Sequence, residues 1–303
     1  MAGNDEVREE AEQERMIRLP DGGWMPRLGQ GTWKMGEDDR QRAGEVKGLR
    51  RGIAMGISMI DTAEMYADGR AESIAGDAIE GTDRNKLFLV SKVYPENANV
   101  HRIYSSLVRT LRLMQTDYLD MYLLHWRGEA DLAEVVWCME DLKDKGLIRR
   151  WGVSNFDVQD MEDLMRVPDG AGCCVNQVLY NLGSRGIEYD LMPWQRARGI
   201  PFMAYCPVGQ AGGLVTQDGV SKAALMQDEN VRRAAEKIGL SVVQLLLAFV
   251  MRHPDMAAIP KAVQPVHIEE NCAAASVKLP EEILEVLDRS FPAPASKIPM
   301  EKY

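Results

Sequence analysis

Short apolar runs of strand length alternate with helix-length stretches along this chain, and that alternation restricts the fold more than any other feature. Runs over 28–33, 57–60, 87–90, 119–124, 148–153, 174–178, 201–205 and 256–259 each precede a segment with helical spacing of apolar residues. Ala43, Val46, Leu49 and Ile53 form one such stripe, ended by Gly56; Val100, Ile103, Leu107, Leu111 and Met114 form another. Further helices are expected over 71–79, 132–142, 157–164, 189–198 and 242–251, with a last one starting near Pro265. Strand-helix alternation implies a parallel sheet with right-handed crossovers, and eight units imply closure into a (β/α)8 TIM barrel. An open doubly wound sheet is the rival. No strand, however, runs into the G-x-G-x-x-G turn that would bind a dinucleotide there. Ahead of the barrel, 16–19 and 24–26 flank Pro20-Asp21-Gly22-Gly23, which predicts a short N-terminal β-hairpin, and an extra helix is expected at the C-terminus.

No Pro/Gly/Ser-rich linker or charge block divides the 303 residues, so 16–303 are expected to form one domain behind a loose polar tail at 1–15. That tail lacks the apolar core of a secretion signal. A formal net charge of -10 argues against a nucleic-acid partner. No apolar run approaches the roughly 18 residues of a membrane span. Five cysteines without metal-ligand spacing predict reduced thiols, a cytoplasmic location and no metal. The adjacent Cys173 and Cys174 are expected to pack as small hydrophobes on a buried strand rather than to carry redox chemistry.

Polar residues of a particular kind fall where the apolar runs stop. Asp61, Lys92 and His125 stand at the ends of three consecutive predicted strands, and Tyr66 follows in the loop after the first. Strand C-termini form the active rim of a barrel. Taken singly, Asp61 is a helix cap, Lys92 a solvated rim lysine and His125 a core histidine. Converging on one pocket, a carboxylate, an ammonium, a phenol and an imidazole are a catalytic set. Lys92 beside Tyr66 is expected to favour the phenolate and lower the phenol's pKa, with Asp61 orienting the lysine. Tyr66 is then a general acid toward a carbonyl oxygen and His125 a second donor to it. The hydride must come from a nicotinamide cofactor, since proteins carry none.

These motifs resemble the aldo-keto reductases along nearly the whole chain. Gly56 through Ala63 and Tyr66 look like the family's G-x-x-x-I-D-T-A signature, Ser91-Lys92-Val93 like its lysine strand, and Leu123-Leu124-His125-Trp126 like its histidine strand. The resemblance implies a (β/α)8 reductase with the tetrad Asp61, Tyr66, Lys92 and His125, using NADPH without a Rossmann fold or a metal. It places Gly31, Thr32, Trp33 and Asp61 against the cofactor, has Ser154, Asn155 and Gln177 hold the nicotinamide amide, and stacks Tyr205 on the ring. Cys206, Pro207, Val208 and Gln210 would pass beside the pyrophosphate; Lys261, Ala262, His267, Glu270 and Asn271 would hold the adenosine phosphate and adenine. Three positions depart from the family pattern: Cys206 and Ala262 replace serines, and His267 stands for an arginine that grips the 2′-phosphate. An imidazole offers no bidentate fork, so NADH use beside NADPH is expected.

Trp33, Tyr66, Tyr94, His125 and Trp126 are the expected substrate pocket. The short tail after Phe291 adds little to a cleft, which favours small aldehydes over steroids. In overall pattern the chain is similar to the bacterial branch that includes methylglyoxal reductases, which implies 2-oxoaldehyde reduction by a monomer. The same tetrad serves an alcohol dehydrogenase. A non-catalytic barrel that binds NADPH as a redox sensor or partner subunit is the alternative of another class, and it has no need of both Tyr66 and Lys92.

Overall fold

The computed structural model describes residues 14–209 and 222–301. The polar tail up to residue 13, Gln210 and most of the glycine-bearing loop after it lie outside the described residues. Met16–Arg18 (β1) and Trp24–Pro26 (β2) pair antiparallel, as the turn residues predict, with Gly22 supplying a φ of 85°. Asp21 in this turn bonds Arg150, just ahead of a barrel strand, at 2.6 Å. The hairpin therefore covers the end at which the strands begin, and Ile17, Leu19 and Met25 fill it from below.

Eight strands follow in one parallel sheet ordered by sequence: Gly29–Gly31 (β3), Met59–Asp61 (β4), Phe88–Val93 (β5), Met121–Leu124 (β6), Trp151–Ser154 (β7), Cys173–Leu179 (β8), Phe202–Tyr205 (β9) and Met256–Ala258 (β10). Closure comes from a parallel bridge between Leu28 and Ala258, with the Gly31 N–H donating to the Pro260 carbonyl at 3.0 Å. First and last strands approach so closely that a Cβ on Gly31 would lie 2.7 Å from the Ile259 carbonyl oxygen. Only glycine fits there. The barrel is the predicted (β/α)8 fold.

Helices Arg42–Ala54, Arg70–Ile79, Ile103–Leu113, Leu132–Asp144, Val158–Arg166, Leu191–Arg196, Val242–Met251 and Pro265–Ala274 cover the sheet. Two more, Lys222–Gln227 and Glu229–Lys237, intervene after β9, and Glu281–Ser290 is the extra C-terminal helix. Glu229–Lys237 escapes a periodicity reading because Val231, Ala234 and Ala235 are its only buried residues, a stripe of small side chains on a charged helix. No single helix among the described residues is long and apolar enough to cross a membrane.

The sheet separates two apolar layers. Met121 and Leu123 point into the barrel, while Tyr122 and Leu124 point out toward the helices. This period of two recurs in β4 and β5, and it decides where each polar residue at a strand end must go. Cys173 and Cys174 are both buried on β8, in agreement with their expected packing role.

Candidate active site

Each inward row of side chains ends on a polar or aromatic residue at the C-terminal face. In β4 Met59 fills the interior and Asp61 stands two residues on; in β5 Phe88 and Val90 precede Lys92. Met121 and Leu123 likewise lead to His125, Val175 to Gln177, and Met203 to Tyr205. The apolar plug thus gives way to a ring of functional groups without any break in strand geometry.

Lys92 is at the centre of that ring and is fully buried. Its Nζ donates to Asp61 Oδ1 at 2.7 Å, to the Thr62 carbonyl at 2.8 Å and to the Tyr66 hydroxyl oxygen at 3.3 Å, which uses all three ammonium hydrogens. The other Asp61 oxygen accepts from Gln177 Nε2 at 2.8 Å, across the barrel. The Tyr66 and His125 rings meet edge to face with centroids 5.7 Å apart. The four residues predicted as a tetrad are therefore brought together.

Electrostatics correct one expectation. Burial first, then the Asp61 charge and Cys206, hold the Tyr66 hydroxyl well above its ordinary value, so its resting form is the phenol. These outweigh the Lys92 ammonium, whose hydrogen bond occupies a lone pair of the Tyr66 oxygen and leaves the phenolic hydrogen to point elsewhere. Burial also pulls Lys92 below its ordinary value, against the pull of Asp61. His125 is lowered to about 3 by burial and then by the Lys92 charge, so its imidazole is neutral. Its Nδ1 is buried without a partner, which favours the tautomer with the proton on Nε2.

Above this ring lies a cleft of about 700 Å³ lined by Trp33, Tyr66, His125 and Trp126 at one end and by Lys261, Gln264 and His267 at the other. Comparison with known proteins agrees with this architecture. The chain matches the Aldo/keto reductase family over residues 27–290. It belongs to that family. It is 48% identical to methylglyoxal reductase YeaE of Escherichia coli (strain K12) over 285 residues, covering 94% of this chain and 98% of that one. It is 30% identical to glyoxal reductase of Bacillus subtilis (strain 168) over 272 residues, covering 90% and 91%. A crystal structure of an aldo-keto reductase from Klebsiella pneumoniae in complex with NADPH superposes with a TM-score of 0.89 at 49% identity, covering 95% of this chain and 99% of that one.

Most residues expected to hold the cofactor line the cleft: Gly31, Thr32, Trp33, Asp61, Ser154, Asn155, Gln177, Tyr205, Cys206, Pro207, Val208, Lys261, Ala262 and His267. Glu270 and Asn271 stand behind it on the Pro265–Ala274 helix, with Asn271 buried. Tyr94 supports rather than lines the cleft, its ring edge-on to Trp126 at 5.6 Å. Asn155 is tied within the protein, accepting from the Tyr205 hydroxyl at 2.8 Å and donating to the His125 carbonyl and to Ser154 Oγ at 3.2 Å each. Lys34, Asn155 and Cys206 line the cleft with left-handed φ of 65°, 60° and 48°, a concentration of strained backbone that functional sites carry.

Three buried carboxylates escaped the sequence reading: Glu45, which accepts from the Gly36 N–H at 3.0 Å, Glu64 and Glu72. Glu64, between Asp61 and Tyr66 in the chain, accepts from the Tyr94 N–H at 2.7 Å, from Asn97 Nδ2 at 3.1 Å and from the Ser106 hydroxyl. It ties the loop carrying Tyr66 to the one carrying Tyr94. Glu72 on the Arg70–Ile79 helix accepts on Oε1 from Ser91 at 2.7 Å and Thr110 at 2.8 Å; its Oε2 is buried without a partner. The helical spacing of Glu72 with Ala75 and Ile79 marks an inward face, the one signal that could have found it. Lys34, Gln41, Met65 and Gln264 also line the cleft and were not foreseen there.

Proposed function

We propose that this chain is an NADPH-dependent reductase of small aldehydes, 2-oxoaldehydes such as methylglyoxal foremost. The observation that carries it is the buried Asp61–Lys92–Tyr66 chain beneath a cleft that also holds His125. A cofactor of nicotinamide type fits the residues present. Gln177 spends an amide hydrogen on Asp61, which leaves its carbonyl as an acceptor for a carboxamide, and Ser154 stands beside it. Lys261 and His267, next to the first turn of the Pro265–Ala274 helix, suit a phosphate at the far end. When bound, that cofactor supplies the hydride.

The chain's own part is the proton. Tyr66 rests as a phenol whose oxygen already accepts from Lys92, so its hydrogen is available to a carbonyl oxygen gaining negative charge. As the proton leaves, the phenolate forms against an ammonium that is already in place, with no reorganisation to await. Asp61, clamped by Lys92 and Gln177, keeps the ammonium aimed. Neutral His125 donates a second hydrogen bond to the same carbonyl oxygen from Nε2. Trp33 and Trp126 close around the reacting carbon, and Tyr94 holds Trp126 in place. The names of the curated relatives, methylglyoxal and glyoxal reductases, support 2-oxoaldehydes as the substrate class.

The test is loss of NADPH absorbance with methylglyoxal and with an aromatic aldehyde. Turnover with a higher kcat/KM for methylglyoxal is expected. No turnover over a broad carbonyl panel, with NADPH still bound, would establish the sensor instead. Parallel assays with NADH test the consequence of His267: measurable NADH activity below that with NADPH is expected, and equal kcat/KM values would sink the preference.

A further inference from the structure

Four of the eight large apolar side chains exposed among the described residues, Val100, Tyr104, Val108 and Trp137, belong to two neighbouring helical units on the outer wall of the barrel. Trp137 is 61% exposed and Tyr104 53%, far more than a packed aromatic leaves open. The Val100 N–H bonds Glu134 Oε1 at 3.0 Å, which sets the starts of the Ile103–Leu113 and Leu132–Asp144 helices level with each other. Both follow parallel strands, so both run from the catalytic face toward the hairpin end.

Their charges are opposite. Residues 99–115 carry Arg102, Arg109 and Arg112 and no acid, whereas 131–145 carry Asp131, Glu134, Glu140, Asp141 and Asp144 against Lys143 and Lys145. On the first helix Tyr104, Val108 and Arg112 form one stripe at steps of four; on the second, Trp137 and Asp141 do the same. Each stripe is apolar in its upper turns and charged in its lower one, with opposite sign. Arg109 is engaged by Asp68 at 3.1 Å, and Asp141 by Lys145 on its own helix, so the apolar residues are the part left without cover.

We infer that this face is a two-fold interface between copies of the chain, with the Ile103–Leu113 helix of one protomer against the Leu132–Asp144 helix of its partner. A two-fold axis parallel to the helices preserves height and exchanges left for right. It therefore sets basic against acidic helix twice, at matching levels, and buries the aromatics between them. An axis across the helices would set like against like and oppose equal charges. At about 1.5 Å per residue the helices are roughly 16–20 Å long, so the contact is at the small end of specific interfaces and dissociates on dilution. The monomer that the family resemblance implies is then the dilute form.

Sedimentation or light scattering from micromolar to about 200 µM tests this, since association follows mass action. Wild type is expected to shift from monomer to dimer. Trp137→Glu should remain monomeric with an unchanged melting temperature. Arg112→Glu and Asp141→Arg should each weaken self-association at least about tenfold, because each opposes like charges in both seams. Mixed one to one, they should dimerise again, since both seams of the mixed dimer join opposite charges. A monomer throughout the range, a dimer indifferent to these substitutions, or a mixture that fails to recover overturns the proposal. None of these outcomes depends on the enzymatic reading.

Discussion

Lys92 has no exposed surface, and Asp61 is the carboxylate paired with it. Asp61→Asn keeps the shape and most hydrogen bonds but leaves an ammonium buried beside a neutral amide. Breaking a buried ion pair from one side costs roughly 3–5 kcal/mol, which for a domain of this size lowers Tm by roughly 10 °C. Because burial already pulls Lys92 below its ordinary value, the variant should shed that proton in the folded state. The unfolded chain then binds a proton that the native chain does not, so the stability of the variant rises with pH relative to wild type. Adding Lys92→Met removes the orphaned charge, and the double variant should regain about 2 kcal/mol or more over Asp61→Asn alone. Urea unfolding of the four proteins at pH 6 and pH 9 gives the cycle. A single-variant cost below about 1 kcal/mol, or strictly additive losses, would refute a buried pair whose members depend on each other.

Glu72 is pushed up to about 7 by burial, above its value in an unfolded chain, so the native state holds a proton that the unfolded state has lost. Its contribution is present below pH 4.5 and is lost as pH rises to about 7, by roughly 3 kcal/mol; Glu72→Gln should flatten that fall, as unfolding of both proteins at pH 5 and pH 8 would show. Glu64→Ala strands three donors and should cost roughly 2–4 kcal/mol. Because it frees the Tyr94 loop, it should also reduce kcat/KM for an aromatic aldehyde more than for methylglyoxal; an equal loss for both would show a role in stability alone. With His125 lowered to about 3, kcat/KM should show no inflection near pH 6.5, and one that vanished in His125→Gln would show that the imidazole titrates there.

The barrel and the tetrad were legible because both obey short-range rules. Apolar strands of a parallel sheet read as continuous runs, and a charged residue that ends such a run must sit at the rim, as Asp61, Lys92 and His125 do. Boundaries were less legible. β5 continues through Val93, so Lys92 lies inside the strand, which the run of apolar letters alone hides. Glu64 and Glu72 look like solvated acids, and only the tertiary arrangement of Ser91, Tyr94, Ser106 and Thr110 reveals that they are buried and hydrogen-bonded. The direction of the Tyr66 shift was missed for a related reason: the charge of Lys92 can be read in a sequence, whereas the depth of the phenol cannot.

The central claim is that Tyr66 gives the proton while Lys92 and Asp61 hold the ammonium against its oxygen. Single-turnover reduction of methylglyoxal by wild type and Tyr66→Phe, with NADPH binding followed separately by fluorescence, measures it most directly. Removing one hydroxyl leaves the cleft and the Asp61–Lys92 pair intact, so NADPH affinity should be nearly unchanged while the hydride-transfer rate falls roughly 10²- to 10⁴-fold. A Tyr66→Phe variant that turned over methylglyoxal at the wild-type rate would contradict the assignment.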